Sequence, residues 1–173
     1  MVIGLSGKVG SGKSSLAKAL VDETGHSHVS FGDFVRKQAK DEGQDPTSRK
    51  ILQQIGKNFI KKDIEKFCID VLDQVDWRNQ DIFIIEGIRH IEVLKTLKRI
   101  LKSHNVVLVY LEIDENERKK RLNLTDNDLN KIDSHSTEIQ LDNVLKSEAD
   151  LIVNGNLELK LIVDKVIQQF RIK

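Results

Sequence analysis

The fold is decided by the stretch GKVGSGKS at residues 7–14, which matches the pattern GxxxxGK[ST] at every fixed position. The apolar run Val2–Ser6 precedes it, and the helix-like run from Ser15 to Leu20 follows it. Glycines let backbone N–H groups turn inward around phosphate oxygens, and a helix N-terminus adds the positive end of its dipole. The sequence therefore predicts a phosphate-binding loop between a strand and a helix.

Two side chains of this loop have chemical roles that the pattern predicts. Lys13 is expected to place a mobile positive charge on the β- and γ-phosphates of ATP, and the Ser14 hydroxyl to ligate Mg²⁺. The loop residues predicted to bind the nucleotide are Gly7, Lys8, Val9, Gly10, Ser11, Gly12, Lys13, Ser14 and Ser15. GTPases, motor ATPases and kinases all carry such a loop, so other residues have to decide the activity.

Outward from the loop, short apolar runs alternate with longer amphipathic segments. The predicted strands are Val2–Ser6, His28–Phe31, Ile82–Glu86, Val106–Glu112 and Leu151–Asn154. Short, nearly continuous apolar runs are typical of parallel strands that helices cover on both faces. The predicted helices are Lys13–Glu23, Gly32–Glu42, Thr47–Gln74, Glu92–Ser103, Glu115–Arg121, Thr137–Lys146 and Leu157–Phe170. The pattern predicts one α/β domain over residues 1–173, a P-loop NTPase fold with a five-stranded parallel sheet flanked by helices.

Composition excludes some classes of partner. The 173 residues carry 28 basic and 27 acidic side chains, a formal net charge of +1, which gives no global attraction to nucleic acid or to a membrane. The single cysteine, Cys68, has apolar neighbours and is predicted to be a buried packing thiol. The N-terminal apolar run is too short for a secretion signal or a membrane span, so we expect a cytoplasmic protein.

Residues 32–76 interrupt the simple alternation, because two or three helices are predicted there with no strand among them. Asp45-Pro46 predicts a turn, and Thr47 is the predicted N-cap of the following helix. Ligands of open α/β sheets bind at the carboxyl ends of the strands, so these helices are predicted to form an acceptor-binding insertion. A short lid is predicted over residues 115–135.

Acidic and basic side chains follow two of the predicted strands. Glu86 ends the third strand, where P-loop proteins place an acid beside Mg²⁺; the alternative is that it caps the next helix. Arg89 comes three residues later at the same edge of the sheet. Arg36 lies one helical turn after Asp33, where its guanidinium could clamp an acceptor phosphate; the alternative is an exposed i,i+3 salt bridge.

The segments Gly32-Asp33-Phe34-Val35-Arg36 and Glu86-Gly87-Ile88-Arg89 resemble the turns after strands two and three of adenylate-kinase-like P-loop kinases. The resemblance implies that Arg36 and Arg89 hold the acceptor phosphate, with Gly32 and Asp33 beside them. A narrower likeness, to archaeal adenylate-kinase-related proteins of the dephospho-CoA-kinase-like group, lies in residues 45–49 and 52–57. Gln53, in the second of these segments, is a candidate for a hydrogen bond to the base of the acceptor, although amides on helices are usually solvated.

The C-terminal part of the chain extends the resemblance. Residues 149–157 resemble the last strand and turn of nucleotide kinases and dephospho-CoA kinases, where the turn lies near the ATP adenine, so Asn154 is implied to bind nucleotide. Residues 135–138 resemble a segment of phage-type deoxynucleoside monophosphate kinases. The lid is poorer in arginine than the lids of adenylate kinases. Arg118 and Arg121 are its candidate catalytic residues, and the alternative is a solvated charged face.

These patterns together predict an ATP- and Mg²⁺-dependent kinase that phosphorylates a nucleoside or deoxynucleoside monophosphate. Such an acceptor oxygen is already anionic, so catalysis would come from positioning and charge neutralisation. One alternative is a hydroxyl kinase of the dephospho-CoA kinase type, with Asp33 as general base. Another is a nucleotide-dependent switch or ATPase with little kinase activity, which the arginine-poor lid favours. The sequence predicts neither the acceptor base or sugar nor the oligomeric state.

Overall fold

A parallel sheet of five strands forms the centre of the molecule. The computed structural model describes residues 1–125, 128 and 144–172. The strands are β1 Val2–Ser6, β2 Ser27–Ser30, β3 Phe83–Glu86, β4 Val106–Glu112 and β5 Leu151–Asn154. They pair in the order β2-β3-β1-β4-β5, and every pairing is parallel. The predicted α/β fold is therefore confirmed, with each strand within one residue of its predicted bounds.

Helices cover both faces of this sheet. They are α1 Lys13–Thr24, α2 Phe31–Asp41, α3 Arg49–Leu72, α4 Ile91–Ile100, α5 Glu115–Leu122 and α6 Leu159–Phe170, with a short 3-10 helix at Trp77–Asn79. The predicted helix Thr137–Lys146 and the segment 135–138 fall almost entirely outside the described residues. In the part of the chain that the structure describes, no helix is long and apolar enough to cross a membrane.

Most strands are apolar because each face of the sheet packs against a separate apolar layer; the edge strand β2, Ser-His-Val-Ser, is the exception. Side chains of β4 alternate between the layers: Leu108 joins the layer on the side of α2, α3 and α4, and Val109 joins the layer on the side of α1 and α6. Successive strand residues point to opposite faces, so a sheet covered on both sides needs apolar residues at consecutive positions. The polar residues lie instead at the edge of the sheet where the carboxyl ends of the strands meet.

The helices between β2 and β3 begin differently from the prediction. Ser30 ends β2 and caps α2, since its hydroxyl accepts a hydrogen bond from the Asp33 amide at 3.2 Å. Asp45-Pro46 does form a turn, but the predicted cap at Thr47 is wrong: α3 begins at Arg49 after Ser48. The Thr47 amide and hydroxyl both donate to Asp45 Oδ1, at 2.8 and 2.7 Å, so the hydroxyl is used within the turn.

The long helix α3 is two helices joined at a kink. Asp63 has extended backbone angles (φ −165°, ψ 93°) in the middle of it, and its carboxylate accepts a hydrogen bond from the Lys66 amide at 2.9 Å. This is the geometry of an N-cap, so the second half starts afresh at Asp63. The rings of Phe59 and Phe67 stack across the kink with their centroids 5.0 Å apart.

Cys68 lies in the second half of α3 and is completely buried. Burial raises the pKa of its thiol to about 12. The predicted packing role is therefore confirmed, because a thiol that is buried and protonated is inert.

Candidate active site

The loop after β1 is held in shape by close backbone contacts. Gly7 has φ 139°, and a Cβ built there would lie only 2.5 Å from the carbonyl oxygen of Leu111 on β4. Only glycine fits this approach, since other residues rarely adopt that angle and the opposing atom belongs to the backbone. The Ser11 amide donates to the Lys8 carbonyl across the loop at 3.1 Å. The shape of the loop is therefore fixed by contacts within the protein.

Lys13, the first residue of α1, is only 6% exposed. Its ammonium donates to the Lys8 carbonyl oxygen at 2.7 Å and lies 3.3 Å from Ser11 Oγ. A buried ammonium needs such partners, because its desolvation is otherwise costly. The charge is thus held inside the loop, where phosphate oxygens would be.

Glu86 ends β3 directly opposite the start of α1. The Ser14 hydroxyl donates to Glu86 Oε1 at 2.5 Å, and His28 Nε2 lies 3.5 Å from Glu86 Oε2. That second contact is long for a hydrogen bond, and the buried His28 Nε2 has no other hydrogen-bond partner. Burial, the largest single influence, raises the pKa of Glu86, but His28, Ser14 and Lys13 together outweigh it and leave the pKa below its ordinary value. The carboxylate is therefore ionised at neutral pH.

This pair of oxygen ligands fits Mg²⁺. A hydroxyl and an ionised carboxylate are hard donors, and Mg²⁺ usually takes one or two protein oxygens together with water and substrate phosphates. Within residues 1–125, 128 and 144–172 no group of three or more His, Cys, Asp or Glu side chains could hold a metal by itself. Ser14 and Glu86 therefore suit a metal shared with a nucleotide, not a metal bound by protein alone.

A cavity of about 490 Å³, the phosphate cavity, opens over the loop. Its charged lining residues are Lys13, Arg36, Glu86, Arg89 and Arg121. The predicted nucleotide-binding residues that line it are Val9, Gly10, Gly12, Lys13, Ser14 and Ser15. Four cations and one carboxylate in the lining favour a polyanionic ligand such as a nucleoside triphosphate.

A second cavity of about 330 Å³, the insertion cavity, lies between the sheet edge and helices α2 and α3. Val9, Gly32, Arg36, Gly87 and Arg89 line both cavities. The two cavities are therefore neighbours that share a wall, and the shared wall carries Arg36 and Arg89. Gln53 lines only the insertion cavity.

Arg36 has features of both roles that the sequence leaves open, an exposed salt bridge and a position beside a phosphate site. Its Nη2 lies 2.5 Å and its Nε 3.2 Å from Asp33 Oδ1, so the i,i+3 salt bridge exists. Both side chains are exposed, which makes this pair weak. The same guanidinium lines both cavities, whereas Asp33 lines neither.

The two arginines of α5 have different positions, and the prediction that Arg118 belongs to a lid is wrong. Arg118 is completely buried beneath the loop, where its Nε donates to the Val9 carbonyl at 2.8 Å. Arg121 lines the phosphate cavity, and its Nη2 donates to the Gly155 carbonyl at 2.8 Å. Their three-residue spacing placed both on neighbouring sides of one helix, but only the packing of α5 decides which side meets the loop.

The turn after β5 packs onto the loop through Gly155. A Cβ built on Gly155 would lie 2.8 Å from the Ser11 carbonyl oxygen and 3.0 Å from that of Glu112. Asn154 is exposed and lines neither of the two cavities; its Oδ1 accepts a hydrogen bond from the Asn156 amide at 2.9 Å. Sequence reasoning chose Asn154 and missed Gly155, although an Asn-Gly pair after a strand is a turn signal.

Sequence reasoning also missed His28, beside Glu86, and three side chains of the insertion cavity: Thr47, Arg49 and Lys57. His28 carries a detectable signal, an ionisable imidazole within a predicted strand. Arg49 and Lys57 do not, because cations on an amphipathic helix are most often solvated.

Comparisons with known proteins agree with this geometry. Residues 6–140 match the family model described as AAA domain. The chain is 50% identical to a cytidylate kinase of Haloarcula marismortui over 46 residues, 27% of this chain and 24% of that protein. It is 33% identical to an adenylate kinase of Borrelia duttonii over 119 residues, 67% of this chain and 53% of that protein. The chain thus spans about half or less of the length of these relatives.

Two solved structures share the fold. The shikimate kinase of Aquifex aeolicus superposes with a TM-score of 0.59 at 19% identity, over 99% of this chain and 96% of that one. A sugar kinase of Janibacter sp. HTCC2649 superposes with a TM-score of 0.56 at 14% identity, over 99% and 94%. At these identities the likeness establishes the fold alone.

Proposed function

Since residues 6–140 match its model, the chain belongs to the AAA domain family, and we propose that it is an ATP-dependent kinase that phosphorylates a nucleoside monophosphate. One observation carries the proposal: two adjoining cavities share Arg36 and Arg89. A nucleotide switch needs one phosphate site, whereas a phosphotransferase needs donor and acceptor phosphates side by side. The adenylate and cytidylate kinases among the relatives support the same class of acceptor.

In the proposed mechanism each residue acts by position and charge. Lys13 and the N-terminus of α1 bind the phosphates of ATP, and Arg36 and Arg89 hold the acceptor phosphate against the shared wall. Ser14 and Glu86 would hold Mg²⁺, which supplies neutralising charge to the phosphates. Arg121 adds a further positive charge to the phosphate cavity. No side chain has to remove a proton, because the attacking oxygen of a monophosphate is already anionic.

We propose that residues 32–76 bind the acceptor within one kinase domain over residues 1–173. The part of 115–135 that precedes residue 123 is helix α5, which supports the loop through Arg118. The other residues of the proposed lid region 115–135 lie mostly outside the residues that the structure describes. The absence of a nucleic-acid partner stays a prediction.

The hydroxyl-kinase alternative has less support in the geometry. Asp33, its candidate base, is engaged by Arg36 and lines neither cavity. The switch alternative also has less support, because a nucleotide switch has no need of a second cavity that shares Arg36 and Arg89 with the first.

The proposal is tested with a panel of ribo- and deoxyribonucleoside monophosphates and dephospho-CoA, each supplied with ATP and Mg²⁺. Formation of ADP and of the phosphorylated acceptor is measured together, with Lys13→Ala as the inactive control. We expect stoichiometric transfer to at least one monophosphate. Transfer to dephospho-CoA alone would establish the hydroxyl kinase. ATP hydrolysis at a rate that none of the acceptors changes would establish the nucleotide-dependent switch or ATPase.

A further inference from the structure

Eight of the ten glycines, all of which lie among the described residues, have a reason within the protein to lack a side chain. Six of them have a positive φ, which other residues rarely adopt: Gly7, Gly10, Gly12, Gly25, Gly43 and Gly87. A Cβ built on Gly4 or on Gly155 would lie 2.7 or 2.8 Å from another atom, closer than packed atoms come. The two glycines that remain, Gly32 and Gly56, both line the insertion cavity.

These two glycines differ in how much space surrounds them. A Cβ on Gly32 would meet Nη2 of Arg36 at 3.4 Å, so the guanidinium already fills part of the space there. Among the described residues, a Cβ on Gly56 would meet only Val35 Cγ2, at 4.0 Å. Gly56 also has helical backbone angles, since only Asp63 departs from them inside α3. An alanine would therefore fit at position 56 of the free protein without strain.

A glycine at this position nevertheless destabilises the helix. In a helix interior, glycine lowers the folding equilibrium constant about twofold to fivefold relative to alanine, because it loses more backbone freedom on folding. No contact of Gly56 with the described residues requires the side chain to be missing. The space beside Gly56 is therefore best explained by a ligand that occupies it.

The position of Gly56 indicates which part of a ligand that is. Gly56 lines the insertion cavity and not the phosphate cavity. In the proposed function the acceptor phosphate lies at the shared wall, on Arg36 and Arg89, so the other end of the acceptor extends toward Gly56. The apolar side chains of the insertion cavity include two aromatic rings: Phe31, Val35, Leu52, Ile60, Phe67 and Val93. Such a lining suits the faces of a nucleobase.

We propose that the acceptor nucleobase packs against α3 at Gly56, and that the missing side chain sets the room available to that base. This inference rests on the proposed function. Leu52 and Ile60 lie one helical turn before and after Gly56, so they border the base on the same side of the helix. A methyl group at position 56 would take up part of the space of the base. Gly56 is then a specificity-determining residue for the acceptor and has no role in binding ATP.

Gly56→Ala tests the inference, because its two expected effects have opposite signs. Without ligand, the folding equilibrium constant should rise about twofold to fivefold, as measured by denaturant titration. The Kd values for AMP, CMP, GMP and UMP are measured by calorimetry. For each monophosphate that binds the wild type, the Kd should rise about tenfold in the variant, because the site becomes overpacked, while the Kd for ADP stays unchanged.

Two results of this experiment would overturn the inference and leave the proposed function standing. A destabilised Gly56→Ala would show that the fold itself requires the glycine. An unchanged Kd for the monophosphates would show that no part of the acceptor lies against Gly56. If none of the four monophosphates binds the wild type, the proposed function fails and this inference fails with it.

A larger side chain and a matched control sharpen the test. Gly56→Leu introduces a good helix former that extends into the apolar cavity, so the monophosphate Kd should rise further, by about 10²-fold, with the Kd for ADP again unchanged. The control is Asn58→Ala, which also raises helix propensity in the same half of α3. Asn58 is exposed and lines neither cavity. An equal loss of affinity in Asn58→Ala and Gly56→Ala would contradict the inference, because it would come from a stiffer helix.

Ribose 5-phosphate separates the base from the rest of the acceptor, since it has the sugar and the phosphate but no base. Its Kd is measured by displacement of a bound monophosphate. We expect the same Kd for ribose 5-phosphate in the wild type and in Gly56→Ala. If Gly56→Ala weakened ribose 5-phosphate as much as the monophosphates, the sugar or the phosphate would lie at Gly56, and the inference would be overturned.

Discussion

Glu86 shows how a single carboxylate can be both buried and charged. It is 8% exposed, but the Ser14 hydroxyl donates a hydrogen bond to it. His28 lies beside it, and the positive charge of Lys13 also favours the carboxylate form. Burial alone would favour the neutral acid, so the lowered pKa depends on those partners. A metal site beside ATP needs this ionised form.

Glu86→Gln keeps the shape of the side chain and removes its charge. We expect phosphoryl transfer to fall about 10²-fold at saturating ATP, because the metal would lose the anionic ligand that we assign to it. The rate is measured as a function of Mg²⁺ concentration, with Glu23→Gln on the exposed side of α1 as control. An unchanged rate would show that another residue binds the metal.

Arg36 and Asp33 separate a phosphate acceptor from a hydroxyl acceptor. Arg36→Lys loses the bidentate geometry and should lower kcat/KM for the acceptor about thirtyfold, on the order of 2 kcal/mol, with ATP binding almost unchanged. Asp33→Asn should have a mild effect, since it only releases Arg36 from an exposed pair. A crippling Asp33→Asn, with a loss of about 10²-fold, beside a harmless Arg36→Lys would instead favour a general base and a hydroxyl acceptor.

At the scale of elements, the strands and the loop were predictable because local sequence decides them. The apolar run Val106–Glu112 is a strand over its whole predicted length. The kink in α3 was not predictable, because an aspartate such as Asp63 is equally compatible with an exposed position inside a helix. The placement of Arg118 was not predictable either, since it depends on which side of α5 packs beneath the loop.

Arg118 offers a prediction about α5 as a support for the loop. Arg118→Met removes the hydrogen bond to the Val9 carbonyl beneath the loop. We expect the Kd for ADP to rise about tenfold, which corresponds to one such bond. Calorimetry measures it, and Arg118→Lys should restore part of the affinity. An unchanged Kd would show that the loop keeps its shape without this contact.

At the scale of the whole molecule, the charge distribution is more informative than the net charge of +1. Among the described residues that line the two cavities, Glu86 is the single carboxylate, while the cations are Lys13, Arg36, Arg49, Lys57, Arg89 and Arg121. Composition could predict only the near-neutral total. The separation of charges depends on long-range packing that brings α1, α2, α3 and the end of β3 together.

The global stability of the fold should depend on alkaline pH through Cys68. Its pKa is raised from 9.0 to about 12 in the folded chain, so its contribution to stability is complete below pH 9.0 and is lost as pH rises toward 12. We expect the free energy of unfolding to fall more steeply above pH 9.0 in the wild type than in Cys68→Ala. Denaturant titrations across this range measure the difference; parallel curves would contradict it.

The wall that the two cavities share has a thermodynamic consequence. Two anionic ligands that draw on the same guanidinium groups of Arg36 and Arg89 cannot bind independently, and the factor by which one changes the affinity of the other must be identical in both directions. Both ligands are anions and share one set of cations. Without Mg²⁺, we therefore expect each ligand to lower the affinity of the protein for the other. The affinity for the acceptor is measured with and without a non-hydrolysable ATP analogue. By reciprocity, the change in that affinity would also give the effect of the acceptor on binding of the analogue.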